Sequence, residues 1–129
     1  MYPITTLTGS LLALGYIYLA FQVIKLRRKH KVAFGCKEFT DLEMAIRAHA
    51  NFSEYIPLTL ILLFCAEANQ ANWIVLLTLV FFFILGRIVH AYAFLKEKHH
   101  LECRIQGMTI TFIVIVSLSL LNLGLLFLR

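Results

Sequence analysis

Cysteine is scarce in this chain: the three residues, Cys36, Cys65 and Cys103, fall at spacings that match no metal-ligand pattern. The five histidines are scattered, and the adjacent pair His99 and His100 lies in a charged stretch without a further ligand nearby, so no metal site is expected. There is no internal repeat, no low-complexity tract and no glycine-rich phosphate loop. No Lys or Arg precedes the first apolar run, which argues against a secretory signal. The basic cluster Lys25, Arg27, Arg28, Lys29 and Lys31 follows that run instead, in the order of a stop-transfer segment.

What fills the chain is apolar. Of its 129 residues 60% are hydrophobic, and the mean hydropathy is +0.82, well beyond the roughly half-apolar makeup of soluble domains. A membrane span needs about 20 mainly apolar residues, and four such runs are present: 4–24, 41–68, 73–95 and 108–128. They leave short connectors and no room for a second domain. Sequential spans joined this way are antiparallel neighbours, which predicts an all-α membrane protein built as a four-transmembrane-helix up-down bundle.

Nine of the twelve Lys and Arg sit after the first and third runs: Lys25, Arg27, Arg28, Lys29, Lys31, Lys37, Lys96, Lys98 and Arg104. The connector after the second run, 69–72, has none. The positive-inside rule then places both basic connectors in the cytosol and both termini outside. The net charge of +5 is accounted for by topology, with anionic lipid head groups as its partners, and is not read as a nucleic-acid footprint. Cys36 and Cys103 fall on the reducing side, so a disulfide framework is not expected.

The start of the second helix is marked by Thr40 and Glu43, spaced as a capping box, with Phe39 and Met44 placed as a hydrophobic staple; the helix is expected to begin at Asp41, within a residue. Gly86 within the third run and Gly107 at the opening of the fourth are sites where helices can approach closely, although neither is part of a GxxxG pair. Trp73 and Tyr2, near run ends, read as interfacial anchors.

The polar residues are unevenly placed. Runs one and four are almost free of ionisable groups, whereas run two carries Glu43, Arg47, His49, Asn51 and Glu54, and run three carries Arg87 and His90. Ionisable groups within a span are costly unless paired or facing a wet cavity, and so mark a functional site by default. Glu43, Arg47, Asn51 and Glu54 recur at intervals of four, four and three and line one stripe of a helix; Tyr55 flanks it. Arg87, His90 and Phe94 share a face of the third helix. Two readings of these residues stand side by side. In the plainer one, Glu43 pairs with Arg47, Glu54 pairs with Arg87, and Asn51 bonds across an interface. In the other, the two stripes meet as a polar ligand pocket near the cytosolic ends of their helices.

The segment Arg47-Ala-His-Ala-Asn51-Phe-Ser-Glu54-Tyr55-Ile-Pro57 resembles the Arg-x-x-x-Asn-x-x-Glu-Tyr-x-Pro signature of the MAPEG family, the membrane-associated proteins in eicosanoid and glutathione metabolism. Gly86-Arg87-Ile-Val-His90 resembles the Gly-Arg-x-x-His of its prostaglandin-synthesising members. Length and span number agree over the whole chain, and the chain is most similar to short bacterial members of unassigned activity. The resemblance implies a homotrimer, in a bacterial inner membrane, with glutathione bound as co-substrate between subunits. It implies contacts to the tripeptide from Arg47, His49, Asn51, Glu54 and Tyr55 of one helix and from Arg87 and His90 of another. Arg27 and Arg28 are possible holders of a glutathione carboxylate. It also implies an arginine at the start of the fourth helix that stabilises the thiolate. Arg104 is the candidate by residue type, whereas ungapped matching of Met108-Thr109-Ile110-Thr111 puts Gln106 at that place. Phe94 stands where family enzymes have a tyrosine.

Three functions are compatible with these features: a membrane glutathione transferase or peroxidase acting on hydrophobic electrophiles drawn from the bilayer, a non-catalytic lipid- or ligand-binding scaffold, and a transporter or channel subunit. Arg104 in the pocket favours the first, a pocket open only to lipid the second, and a continuous polar path the third.

Overall fold

The computed structural model describes residues 1–95 and 101–127. Four helices follow one another: α1 (Pro3–His30), α2 (Thr40–Ala68), α3 (Trp73–Leu95) and α4 (Leu101–Phe127). Lys96, Lys98, His99 and His100, which entered the reading of the second basic connector, lie outside the described residues, as do Leu128 and Arg129.

Two helices outrun the apolar stretches that announce them. α1 continues through the basic cluster to His30, because Arg27, Arg28, Lys29 and His30 in its last turn complement the negative end of the helix dipole. It stops at Lys31, which takes the left-handed conformation at φ 54. α4 begins seven residues before the run expected from 108, with Glu102 in its first turn. Gly107 therefore lies inside this helix and does not open it.

The start of α2 departs from the expected capping box. The N-cap position is Phe39, with no side-chain cap, and the helix runs from Thr40. Asp41 supplies the local acceptor, its Oδ1 taking the Leu42 N–H at 2.8 Å, while its Oδ2 meets His30 Nε2 at 2.9 Å and Lys29 Nζ at 3.4 Å. Phe39 stacks on the His30 ring at 4.0 Å between centroids, so its apolar face is occupied by α1. Arg27 fastens the same connector by donating to the carbonyls of Ala33 and Gly35, each at 3.1 Å. At the other end of the bundle Asn72 Oδ1 accepts the Ile74 N–H and opens α3. Glu67 at the end of α2 caps α1: its two carboxylate oxygens accept the Ile4 and Thr5 N–H groups at 2.9 and 2.8 Å.

These ties set the topology. Glu67 beside Ile4 makes α1 and α2 antiparallel, and Asn51 beside Met108 with Leu62 beside Asn122 makes α2 and α4 parallel. The up-down bundle expected from short connectors is what forms. α2 touches all three other helices, α3 packs most extensively on α4, and α1 rests on α2 with only a marginal contact to α3. The core joins Leu12 and Leu19 of α1, Phe52 and Leu63 of α2, Leu76 and Phe83 of α3, and Val114 and Leu118 of α4.

The bundle is inverted relative to a water-soluble one, with large apolar side chains such as Leu14, Phe21, Phe81, Ile88, Ile113 and Leu120 facing outward. Among the described residues three helices, α1, α3 and α4, are long and apolar enough to cross a membrane. α2 has 29 residues, and at about 1.5 Å per residue its length also suffices. Its polar stripe is what sets it apart from the other three.

Candidate functional site

The stripe on α2 opens onto a cavity of about 520 Å³. α2 contributes Thr40, Glu43, Met44, Arg47, Ala50, Asn51 and Glu54, α3 contributes His90 and Phe94, and α4 contributes Arg104 and Met108. The stripes on α2 and α3 thus meet as expected, and the fourth helix joins them. α1 contributes nothing to the lining.

Neither ion pair of the plainer reading forms. Among the described residues the only carboxylate in salt bridges is that of Asp41. Glu43, Arg47 and Glu54 are exposed and line the cavity. An i,i+4 pair such as Glu43 and Arg47 is worth only about 0.2–0.5 kcal/mol, too little to hold two long side chains together. Glu54 lacks Arg87 for a different reason: the Arg87 side chain is inserted between α2 and α4 and is 1% exposed.

There the two terminal nitrogens of its guanidinium meet neutral acceptors, while its Nε is buried with no partner among the described residues. Nη1 donates to Asn51 Oδ1 at 2.8 Å, and Nη2 donates to Thr111 Oγ1 at 2.6 Å. Longer bonds reach the carbonyls of Asn51 and Gly107 and the Met108 sulfur. Thr111 in turn donates to the Gly107 carbonyl. The Tyr55 ring covers the guanidinium carbon at 5.3 Å and meets Phe112 edge-on. Arg87 and Tyr55 are therefore outside the cavity lining, where Arg87 holds Asn51 and Tyr55 covers Arg87. The Asn51 amide is fixed on its other side by Nδ2 to the Met108 sulfur at 3.6 Å.

His90 is 5% exposed and lines the cavity, its Nδ1 3.1 Å from the main-chain oxygen of Arg104. The Arg104 guanidinium lies over the Phe94 ring, 4.3 Å from its centroid, and its Nε is buried without a partner. The residue type, not the ungapped match, picks the cation of this site: Gln106 is exposed and absent from the lining. His49 is on the other side of α2, its ring 4.5 Å from that of Tyr16 on α1. Of the residues singled out from the sequence, Arg47, Asn51, Glu54, His90 and Arg104 share one cavity, and His49 stands apart. Arg27 is committed to the connector, and Arg28 is exposed outside the lining.

Two participants were not foreseen. Thr111 gave no signal beyond a hydroxyl in an apolar run, although a buried guanidinium must find such acceptors. Met108 looks like a core residue, yet its polarisable sulfur serves both Asn51 and Arg87.

Two carboxylates, two guanidiniums and an imidazole around one cavity can hold a small ligand carrying charges of both signs. The guanidiniums can also favour an anion formed on it.

The sequence profile of the MAPEG family matches residues 5–124. The chain is 34% identical over 123 residues to the inner membrane protein YecN of Escherichia coli strain K12, which covers 93% of this chain and 90% of that protein. The YecN protein of Escherichia coli O6:H1 strain CFT073 is similar to the same extent. With the motif residues gathered at one cavity of a helical membrane bundle, and with matches that span nearly its whole length, the chain belongs to the MAPEG family.

Proposed function

We propose that this cavity binds glutathione and activates its thiol for conjugation to hydrophobic electrophiles that dissolve in the bilayer, with reduction of lipid peroxides as the related reaction. The observation that carries the reading is the gathering of Arg47, Asn51 and Glu54 from α2 with Arg104 from α4 around a single cavity. Glutathione presents two carboxylates and one ammonium at neutral pH, which Arg47, Arg104, Glu43 and Glu54 complement in sign. Only the thiolate is a nucleophile, and an adjacent guanidinium lowers the thiol pKa from its usual value of about 8.5. Arg104 is the group assigned to the sulfur.

The site belongs to a homotrimer in this reading, in which a neighbouring subunit covers the exposed Glu43, Arg47 and Glu54. The similarity to an inner membrane protein supports a bacterial inner membrane, with the basic connectors cytosolic, the termini outside, and lipid as the substrate reservoir. A scaffold that binds without turnover is favoured by one residue: Phe94 offers no hydroxyl to ligand or substrate.

Calorimetry of glutathione binding to the detergent-purified protein, with conjugation to chlorodinitrobenzene followed in parallel, tests the proposal. Binding is expected in the wild type and lost in Arg47→Ala, while Arg104→Ala retains binding and loses turnover. Binding without turnover in the wild type would leave the scaffold, and absence of binding would refute the glutathione reading.

A further inference from the structure

His90 holds a clue in its two nitrogens. Its Nδ1 faces the Arg104 carbonyl at 3.1 Å, and a carbonyl oxygen only accepts. The proton of the neutral ring is therefore on Nδ1, and this bond fixes the tautomer. Nε2 is left with a lone pair. It is buried, it meets no partner among the described residues, and its ring lines the cavity. A buried acceptor is seldom left in that state unless something else satisfies it.

The carbonyl that orients His90 belongs to the residue whose guanidinium rests on Phe94. The Phe94 ring meets the His90 ring edge-on, 5.1 Å between centroids. A lone pair and a cation are thus held at one part of the cavity, both against one aromatic side chain. Gly107 makes this arrangement possible, since a Cβ there would come within 2.7 Å of both the Gly86 carbonyl oxygen and the His90 Cβ.

We infer that His90 is the general base of the site, its Nε2 taking the proton of the bound thiol while Arg104 receives the negative charge on sulfur. The inference rests on the glutathione reading and adds the residue that accepts the proton. In the step, the S–H bond breaks, its electron pair stays on sulfur, and the proton goes to Nε2. The imidazolium keeps its Nδ1–H bond to the carbonyl. The sulfur pair then forms a C–S bond to the aryl carbon, halide leaves with the pair of the broken carbon–halogen bond, and Nε2 passes its proton to water. The charged groups around the ring are Arg87 on its own helix, Arg104 on α4, and Glu43, Arg47 and Glu54 on α2. Arg104 offsets the thiolate, and Glu43 and Glu54 line the same cavity as the imidazolium.

His90→Asn separates the roles, because its amide N–H lies near the place of Nδ1 while Nε2 is gone. Three readouts are compared with the wild type: binding of S-methylglutathione, which has no thiol proton; the ultraviolet absorbance of bound thiolate; and the pH profile of kcat/KM with chlorodinitrobenzene. The variant is expected to bind S-methylglutathione within about threefold of wild type, to lose the thiolate signal at neutral pH, and to lose about 100-fold in kcat/KM, as general-base removal does. The deficit should shrink as pH rises through the free-thiol value of about 8.5. An unchanged pH profile and thiolate signal in His90→Asn would overturn the assignment, whether or not affinity falls. Should the Asn variant lose S-methylglutathione binding altogether, His90→Gln takes its place in the same comparison. Glutathione bound by the wild type without any thiolate would overturn the base alone, whereas no glutathione binding would overturn the ligand reading and the base with it.

Discussion

Arg87 is a buried cation with no carboxylate against it among the described residues, and its fork of N–H donors explains how the bundle tolerates this. Nη1 and Nη2 reach separate acceptors on α2 and α4, and the Tyr55 ring covers the flat face. Arg87→Met leaves Asn51 Oδ1 and Thr111 Oγ1 without their donor, and a buried acceptor left unmet costs about 1–3 kcal/mol. The variant is expected to unfold at lower temperature in detergent, and adding Asn51→Leu should recover part of the loss because one of the two orphaned acceptors is then gone. An Arg87→Met protein as stable as wild type would show that the fork contributes nothing. The residue scale also shows where sequence reasoning succeeds. Helical period fixes direction around an axis, so Glu43, Arg47, Asn51 and Glu54 were legible as one lining. The same period excludes His49, two residues and about 200° from Arg47. It likewise puts Gln106 on the far side of α4 from Arg104. Period does not say which groups find partners inside the bundle, so the bonds of Arg87 to Asn51 and Thr111 were not legible.

Among the elements, the crossing of α3 and α4 governs the site. Gly86 and Gly107 face each other there, each on a different helix, which is why neither needs a glycine partner in its own sequence. Both were recognisable as points of close approach; that they oppose one another was not, since the sequence carries no register between helices. A Cβ on Gly107 would lie 2.7 Å from the Gly86 carbonyl oxygen and 2.8 Å from the His90 nitrogen, both backbone atoms. Gly107→Ala must therefore push the helices apart, at an overpacking cost of about 1–3 kcal/mol, and carry Arg104 away from Phe94. Gly15 is the control: its added Cβ would meet only the tip of the Phe52 ring at 3.1 Å, which can shift. Thermal unfolding and conjugation rate should both fall more in Gly107→Ala than in Gly15→Ala; equal effects would refute the crossing as the controlling contact. The helix ends were less legible. The Thr40 and Glu43 box is replaced by Asp41, whose ion pair with His30 needs α1 alongside. Glu67 reaches the start of α1 across more than sixty positions, a distance no local pattern encodes.

At the scale of the molecule, Glu43, Arg47 and Glu54 form no ion pair among the described residues of a largely apolar bundle. A second subunit can supply cover and counter-charges. Native mass spectrometry from detergent is expected to show a trimer, and Glu54→Ala to weaken both assembly and glutathione binding; a monomer that binds glutathione fully would refute the shared site. Span number, bundle topology and the polar stripe were readable because membrane burial imposes length and hydropathy on every helix. Assembly with further copies would leave no such mark on a single chain.

α1 rests on α2 and contributes no side chain to the cavity lining. Its Gly15 and Tyr16 support the back of α2 through Phe52 and His49, and Glu67 secures its far end. The cavity thus has a support separate from its lining: the first thirty residues act as a buttress that can drift in sequence to suit lipid thickness or a neighbouring protein while the cavity lining stays as it is.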